Sequence, residues 1–119
     1  MFGEVLDSVL NKVEGSLAAV VMGMDGISIE DRIRGNEVNI EALAAEYSSL
    51  LKGTALTTQE IGLGPIQEMV VSAESRIIVI RMITPEYFIL VLLDRDGNIG
   101  RTRFELKKAK FALEKELVL

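Results

Sequence analysis

The sequence of 119 residues predicts an α+β domain in which helices cover an antiparallel sheet. Three observations lead to this prediction. Apolar residues change from helical to strand spacing and back, in the order α-β-β-α-β-β-β-α. The links between neighbouring strands are only a few residues long, which favours hairpins and therefore antiparallel pairing. No repeat or low-complexity linker interrupts the pattern, so we expect a single domain that spans residues 1–119.

Composition and charge exclude several kinds of site. There is no cysteine and no histidine, which excludes disulfides, the usual zinc sites, a thiol nucleophile and an imidazole base. A net charge of −5 argues against nucleic acid or an anionic membrane as the main partner, because phosphate binding needs a positive field. The sequence has no signal-peptide pattern and no apolar run near the ~20 residues of a membrane span. We therefore expect a cytoplasmic protein.

The first predicted elements are an amphipathic helix and a buried strand. Apolar residues recur at three- and four-residue intervals over residues 2–13, and Gly15 can end the helix in a left-handed conformation. The apolar run over residues 17–22 is too short for a typical helix and has glycines on both sides. It therefore predicts a central strand that is buried on both faces.

A hairpin is predicted to lead into the second strand. The dipeptide Asp25-Gly26 readily takes the positive φ values that a tight turn needs. After it, Ile27, Ile29 and Ile33 alternate with serine, glutamate and arginine. The alternation predicts that one face of the strand, the polar one, is wet, and its charges suit the edge of a sheet.

Helical spacing returns over residues 39–61, with two different arcs. One arc is apolar and includes Leu50 and Ile61, whereas the opposite arc is made of small residues. Small residues allow another backbone to come close, although alanine chosen for helix propensity is the alternative. Gly53 favours the contact, because glycine inside a helix costs about 1 kcal/mol relative to alanine. The small arc consists of Ala42, Ala45, Ser49, Gly53 and Leu56.

Three strands and a last helix complete the pattern. Residues 68–73, 76–83 and 87–93 are rich in β-branched and aliphatic residues and are separated by short turns. This spacing predicts two hairpins in a row. A turn over residues 94–98 then leads into a final helix with a continuous apolar face.

No motif predicts catalysis, a cofactor or a metal. Neither glycine-rich segment has the lysine and the flanking elements of a phosphate-binding loop. Asp94, Asp96, Asn98 and Glu105 have the spacing of calcium ligands in an EF-hand, but Ile99 stands where that loop needs glycine. A plain turn in which Asp96 or Asn98 caps the final helix is the simpler interpretation. We therefore predict no catalytic, cofactor-binding or metal-binding residue and no enzymatic activity.

The final helix has a second apolar stripe and many cations. Phe104, Phe111 and Val118 recur every seven residues on the side away from Leu106 and Leu113. This stripe either packs on the first helix or stays exposed, and we expect it to pack on the first helix. The cations form either a solvated helix face or a patch for an acidic protein partner. They are Arg101, Arg103, Lys107, Lys108, Lys110 and Lys115.

Two segments resemble a known family. Residues 13–26 read Val-Glu-Gly-Ser-Leu-Ala-Ala-Val-Val-Met-Gly-Met-Asp-Gly, which is similar to the opening signature of the Roadblock/dynein light chain domain. Residues 92–100, Leu-Leu-Asp-Arg-Asp-Gly-Asn-Ile-Gly, resemble the strand-to-helix turn of the bacterial MglB-type members of that family. The second helix with its small residues is similar as well, so the resemblance covers essentially the whole chain.

The resemblance implies a fold and an assembly. The fold is a five-stranded antiparallel sheet in the order 2-1-5-4-3, with the second helix on one face and the terminal helices on the other. The assembly is a homodimer in which the third strands pair and the two second helices lie side by side. On this chain the pairing strand contains Gln67, Met69, Val70 and Val71, and it has no charge in its centre to guard an open edge.

The resemblance also implies a function. MglB-type members act as GTPase-activating partners of small Ras-like GTPases, and they hold the GTPase's own catalytic residues in place without an arginine finger. Roadblock scaffolds that assemble other proteins are the alternative, and a carboxylate enzyme or a small-ligand binder that uses the sheet is a third possibility. The platform implied for the twin helix or the GTPase consists of Ala42, Ala45, Glu46, Ser49 and Gly53.

Overall fold

The computed structural model of the protein describes residues 1–35 and 38–117. Over that part of the chain the elements follow the predicted order, and each lies close to its predicted bounds. They are α1 (Phe2–Lys12), β1 (Ser16–Gly23), β2 (Ser28–Ile33), α2 (Ile40–Glu60), β3 (Glu68–Ser72), β4 (Arg76–Thr84), β5 (Tyr87–Asp94) and α3 (Ile99–Leu117).

The strands form one antiparallel sheet in the order β2-β1-β5-β4-β3, which confirms the order implied by the resemblance. Side chains alternate across each strand, so β1 divides its apolar residues between two cores. Ala19 and Val21 face α1 and α3, whereas Ala18 and Val20 face α2. The order leaves β2 and β3 at the two edges of the sheet.

The core on the α1 and α3 side is extensive. Leu6 and Val9 of α1 are buried together with Leu106 and Leu113 of α3 and the central strands. The two helices also contact each other. Burial of one such aliphatic side chain stabilises the fold by about 1.5–3 kcal/mol, so this face supplies a large part of the stability.

The core on the α2 side is covered by only part of its helix. Ile40, Ala44 and Leu51 are buried where α2 packs on β1 and β2. From residue 52 to residue 60, every residue of α2 is exposed or half-buried. Leu50 and Ile61, which share the apolar arc in the sequence, are more than half exposed. At 100° per residue, Leu50 and Ile61 lie at the margin of the apolar arc. Because both are exposed, the stripe of α2 that contacts the sheet is narrower than the arc predicted from the sequence.

The edge strand β2 exposes its isoleucines. Ile29 and Ile33 are 37% and 42% exposed, whereas Glu30 and Arg32 are half-buried. The predicted polar side is partly wet: α1 lies against it, yet the side chains of Arg32 and Glu30 remain 37% and 41% exposed. The isoleucine side is about equally exposed, which the prediction did not include. The Arg32 guanidinium donates to Asp7 of α1 at 3.0 Å and to Glu30 at 2.8 Å. The hydrogen bond to Glu30 raises the pKa of Arg32, and the charge of Asp7 acts in the same direction.

The second apolar stripe of α3 does not pack on α1. Phe104 and Phe111 are 54% and 68% exposed, so the expectation of a helix contact is wrong, and Val118 lies outside the described residues. The reason is the arrangement of the helices. α1 lies beside α3 on the sheet and contacts its flank, where Ala109 lies, and does not reach its outer side.

The turns follow their predicted chemistry. Gly15 and Gly26 have φ of +84° and +86°, values that side chains with a Cβ rarely adopt. At the start of α3, the side-chain oxygen of Asn98 accepts a hydrogen bond from the Arg101 backbone N–H at 2.9 Å. Asn98 therefore caps this helix, as predicted.

Candidate protein interaction surfaces

The side of α2 that points away from the sheet carries a stripe of three small residues and one glutamate. Ala42, Glu46, Ser49 and Gly53 are all exposed and follow one another at intervals of four, three and four residues. At 100° per residue these positions lie within one narrow arc, opposite the buried stripe. We call these four residues the outward face of α2. Ala45 lies at the margin of this face and is half-buried, because it also packs on the core beneath.

Gly53 has no structural reason within the described chain to be glycine. It lies in the interior of α2 with a helical backbone and not in the left-handed region. A Cβ built at this position meets no atom of the described residues within 4 Å. Alanine there would favour the helix by about 1 kcal/mol. The open space above Gly53 is therefore available to the backbone of another molecule.

The second candidate surface is the outer edge of β3. Within the described residues β3 pairs only with β4, so its other edge has no strand beside it. Met69 and Val71 point to the α2 side and are half-buried, whereas Val70 points to the α3 side and is 39% exposed. Gln67 is exposed just before the strand, and its carbonyl accepts a hydrogen bond from the Met82 N–H at 2.9 Å. The structure thus brings the four predicted residues to one edge, on both sides of the strand.

An ion-pair network holds β3 against α3. One carboxylate oxygen of Glu68 accepts a hydrogen bond from Arg81 at 3.3 Å, and the other lies 2.8 Å from the guanidinium of Arg103. The side chains of Glu68 and Arg81 are mostly buried, so solvent screens this network only in part. The network fixes the strand whose outer edge is open.

Large apolar side chains are exposed near the outward face of α2 and the outer edge of β3. The sequence pattern did not predict them as a group. Leu50 and Leu56 of α2 are more than half exposed, and Ile61 and Leu63 follow in the loop that leads to β3. A series of such residues in one segment is typical of a surface that contacts another molecule. The signal in the sequence is weak, because Leu50 and Ile61 share a helical arc with buried residues.

The groove between α1 and α3 contains a buried carboxylate. The groove between α1 and α3 has a volume of about 260 Å³, and the buried carboxylate at its floor, Glu105, lies 2.9 Å from Arg101 and 3.6 Å from Lys108. In residues 1–35 and 38–117 no three acidic side chains are arranged to hold a metal ion. None of the helices in those residues combines the length and the apolar character needed to cross a membrane.

Known proteins resemble the chain in sequence. No protein-family model matches it. The uncharacterized protein MJ0310 of Methanocaldococcus jannaschii is 30% identical over 100 residues, which are 84% of this chain and 86% of that protein. MglC from Myxococcus xanthus, whose structure is solved, is 34% identical, with a TM-score of 0.69 over 97% of this chain and 98% of that chain.

Other solved structures share the fold at lower sequence identity. MglB from Myxococcus xanthus is 15% identical, with a TM-score of 0.88 over 98% of this chain and 94% of that chain. A Roadblock/LC7 domain from Streptomyces avermitilis is 16% identical, with a TM-score of 0.87 over 98% of this chain and 97% of that chain. In both comparisons the matched part is 98% of this chain.

Proposed function

The chain belongs to the Roadblock/LC7 domain family, and from this premise we propose that it is a homodimeric regulator of a small Ras-like GTPase. The dimer stimulates GTP hydrolysis by positioning the GTPase's own catalytic residues, and the chain itself supplies no catalytic group. We also propose that it acts in the cytoplasm.

The outward face of α2 is the observation that carries this proposal. Its small side chains leave the helix backbone accessible, and the space above Gly53 is open. A partner can therefore approach the helix backbone closely at Ala42, Ser49 and Gly53, beside the longer side chain of Glu46. The outward face contains one charge, Glu46, and no arginine, so it stabilises a partner's conformation and does not insert a cation into the partner's nucleotide site.

Pairing of two β3 strands completes the platform. Met69, Val70 and Val71 offer an uncharged edge to an identical strand, which gives a symmetric contact of the kind that homodimers use. The joint sheet carries both α2 helices on the same face. Exposed Leu50, on one flank of the outward face, is then covered by the twin helix, while the outward faces remain together for the GTPase.

Positioning is sufficient to accelerate hydrolysis. Phosphoryl transfer depends on the placement of the attacking water and on stabilisation of charge by groups already present in the GTPase. A platform that holds those groups in their reactive arrangement removes part of the entropic barrier. Since no arginine is supplied, we expect a stimulation of roughly tenfold or more, well below the effect of an arginine finger.

The test is a single-turnover GTP hydrolysis assay with the small GTPase encoded nearest to the gene of this protein. The wild-type dimer should raise the rate, and Ala42→Arg should abolish the stimulation because a long cation blocks the outward face. Ala112→Arg, at an exposed position of α3 on the other side of the sheet, is the matched control and should stimulate normally. Ala45→Arg should also abolish stimulation, with some loss of stability because Ala45 is half-buried.

An unchanged hydrolysis rate with the wild-type protein, across the candidate GTPases of the same genome, would refute the role as an activator. Light scattering on each variant separates loss of the dimer from loss of stimulation. A variant that remains dimeric and folded but does not stimulate locates the contact on α2.

A scaffold that assembles other proteins without affecting hydrolysis is the second candidate. The observation that favours it is the sequence identity of 34% with MglC, which is about twice the identity of 15% with MglB. The chain is thus nearer in sequence to a Roadblock-like protein other than MglB. Recovery of a partner complex that contains no GTPase, by affinity purification under native conditions, would favour the scaffold.

A further inference from the structure

The outer side of α3 shares two features with one half of a coiled coil, apolar residues at position a and charged residues at positions e and g. Phe104 and Phe111 are seven residues apart, and both are more than half exposed. Seven residues make two helical turns, so the two rings project from the same line along the helix. In a heptad these phenylalanines occupy position a, and Lys107 and Glu114 occupy position d.

The positions that flank this line are all cationic. In a coiled coil the e and g positions form the ion pairs that determine which helix is accepted as partner. The rings are also in contact with cations: Arg101 and Lys108 lie 5.7 Å and 5.4 Å from the centre of the Phe104 ring, and Lys110 lies 5.7 Å from that of Phe111. The e and g residues from position 101 to position 115 are Arg101, Arg103, Lys108, Lys110 and Lys115.

The charge of α3 is opposite to that of the rest of the protein. Six cations and three carboxylates give this helix a net charge of +3, and the remainder of the chain has −8. Four of these cations already lie near carboxylates of the same chain: Arg101 and Lys108 near the buried Glu105, Arg103 near Glu68 and Lys110 near Glu114. The side chains of the four cations nevertheless remain 30–53% exposed, so carboxylates of a partner can still reach them. The outer side of α3 is therefore a basic strip with an aromatic centre on an acidic domain.

We propose that the outer side of α3 binds an acidic amphipathic helix of a partner protein. The apolar residues of that helix pack on Phe104 and Phe111, and its carboxylates pair with the flanking cations. This inference is independent of the proposed regulation of a GTPase, because α3 and α2 lie on opposite faces of the sheet.

Two other occupants fit the observations less well. A second copy of α3 is disfavoured, because its e and g cations would oppose identical cations. The α1 helix of a second copy has exposed acids such as Glu4 and Asp7, but its apolar residues Leu6 and Val9 are buried in its own core. An anionic bilayer would attract α3 but repel the −8 of the remaining chain.

The test uses the full-length, isotope-labelled protein and a synthetic acidic peptide of about four heptads with leucine at a and d and glutamate at e and g. Binding is followed by nuclear magnetic resonance and by fluorescence anisotropy. We expect chemical-shift changes along the outer side of α3 and binding that weakens as salt is added. The same peptide with lysine at e and g should not bind.

Three variants decide the question. Phe104→Ala combined with Phe111→Ala should weaken peptide binding roughly tenfold or more, and both positions are exposed enough for the fold to be retained. Lys108→Glu combined with Lys115→Glu should reverse the preference between the two peptides. Lys12→Glu, an exposed lysine of α1, is the control and should bind as the wild type does.

Several outcomes would overturn the proposal. Absence of binding by the acidic peptide up to about 1 mM would do so. Equal binding by the phenylalanine double variant, or shift changes confined to another face, would do so as well. Sedimentation with vesicles that contain about one third phosphatidylserine, lost in the phenylalanine variant and without peptide binding, would assign the strip to a membrane surface instead.

Discussion

The two faces of the sheet are covered to different extents. On the α1 and α3 side, two helices bury their apolar residues against the sheet, and Leu106 and Leu113 are inaccessible to solvent. On the α2 side, one helix covers β1 and β2 with its first half, and its second half contains only exposed or half-buried residues. Met69 and Val71 of β3 remain half-buried on this side.

This difference indicates that one face is complete within a single chain and that the other is suited to an assembly. A core that is closed by its own helices contributes to stability at any protein concentration. A face with exposed Leu50 and Leu56 and an open strand edge gains stability when a second molecule covers it. The predictions below test whether the two faces differ in this way.

The largest expected effect is on the dimer. Val71→Asp places a charge at the centre of the open edge of β3, where two paired strands would exclude water. Self-association should weaken by at least about a hundredfold, because an unpaired buried charge is strongly destabilising. Ile29→Asp, at a partly exposed position of the opposite edge strand, is the matched control and should stay dimeric in light scattering. A dimeric Val71→Asp variant would move the interface away from β3.

The next effect compares one leucine from each face. Leu106→Ala should lower the free energy of unfolding by about 2–5 kcal/mol at all protein concentrations, because it leaves a cavity in a closed core. Leu50→Ala should lower it by less than about 0.5 kcal/mol in dilute solution and by more where the dimer is populated. Urea denaturation at several protein concentrations measures both. Equal losses for the two variants would mean that the α2 face is closed within the chain.

The smallest effect concerns the glycine of the outward face. Gly53→Ala should raise the stability of the protein by about 1 kcal/mol in dilute solution, because its Cβ meets no neighbour in the described chain. The same change should reduce stimulation of the GTPase if a backbone approaches this position closely. Ser49→Ala keeps the face small and serves as the control. A stabilised Gly53→Ala variant with full stimulation would show that no close approach occurs at Gly53.

Local chemistry made much of the fold predictable. Gly15 and Gly26 mark the ends of elements because residues with a Cβ rarely adopt the positive φ that these turns require. The stripe of Ala42, Ser49 and Gly53 could be found because helical periodicity shows which residues share a side. The exposure of Leu50 could not, since it depends on how far across the sheet α2 reaches.

The expectations about exposure in β2 and α3 that the structure changed have one physical origin, the position of α1. Alternation in β2 correctly separated the isoleucines from the charged residues, but it could not show that α1 lies against Glu30 and Arg32 and leaves the two sides about equally exposed. The seven-residue spacing of Phe104 and Phe111 correctly placed them on one line, but it could not show that α1 contacts the flank of α3.

The sequence by itself therefore determined the order of the elements, the turns and the grouping of residues on each face. Periodicity and turn chemistry act within a few residues, so they can be read without knowledge of the rest of the chain. Only the tertiary structure decided which of those faces are covered. Coverage depends on elements that are distant in sequence and that the sheet order brings together, such as α1 beside β2 and α3 over β4.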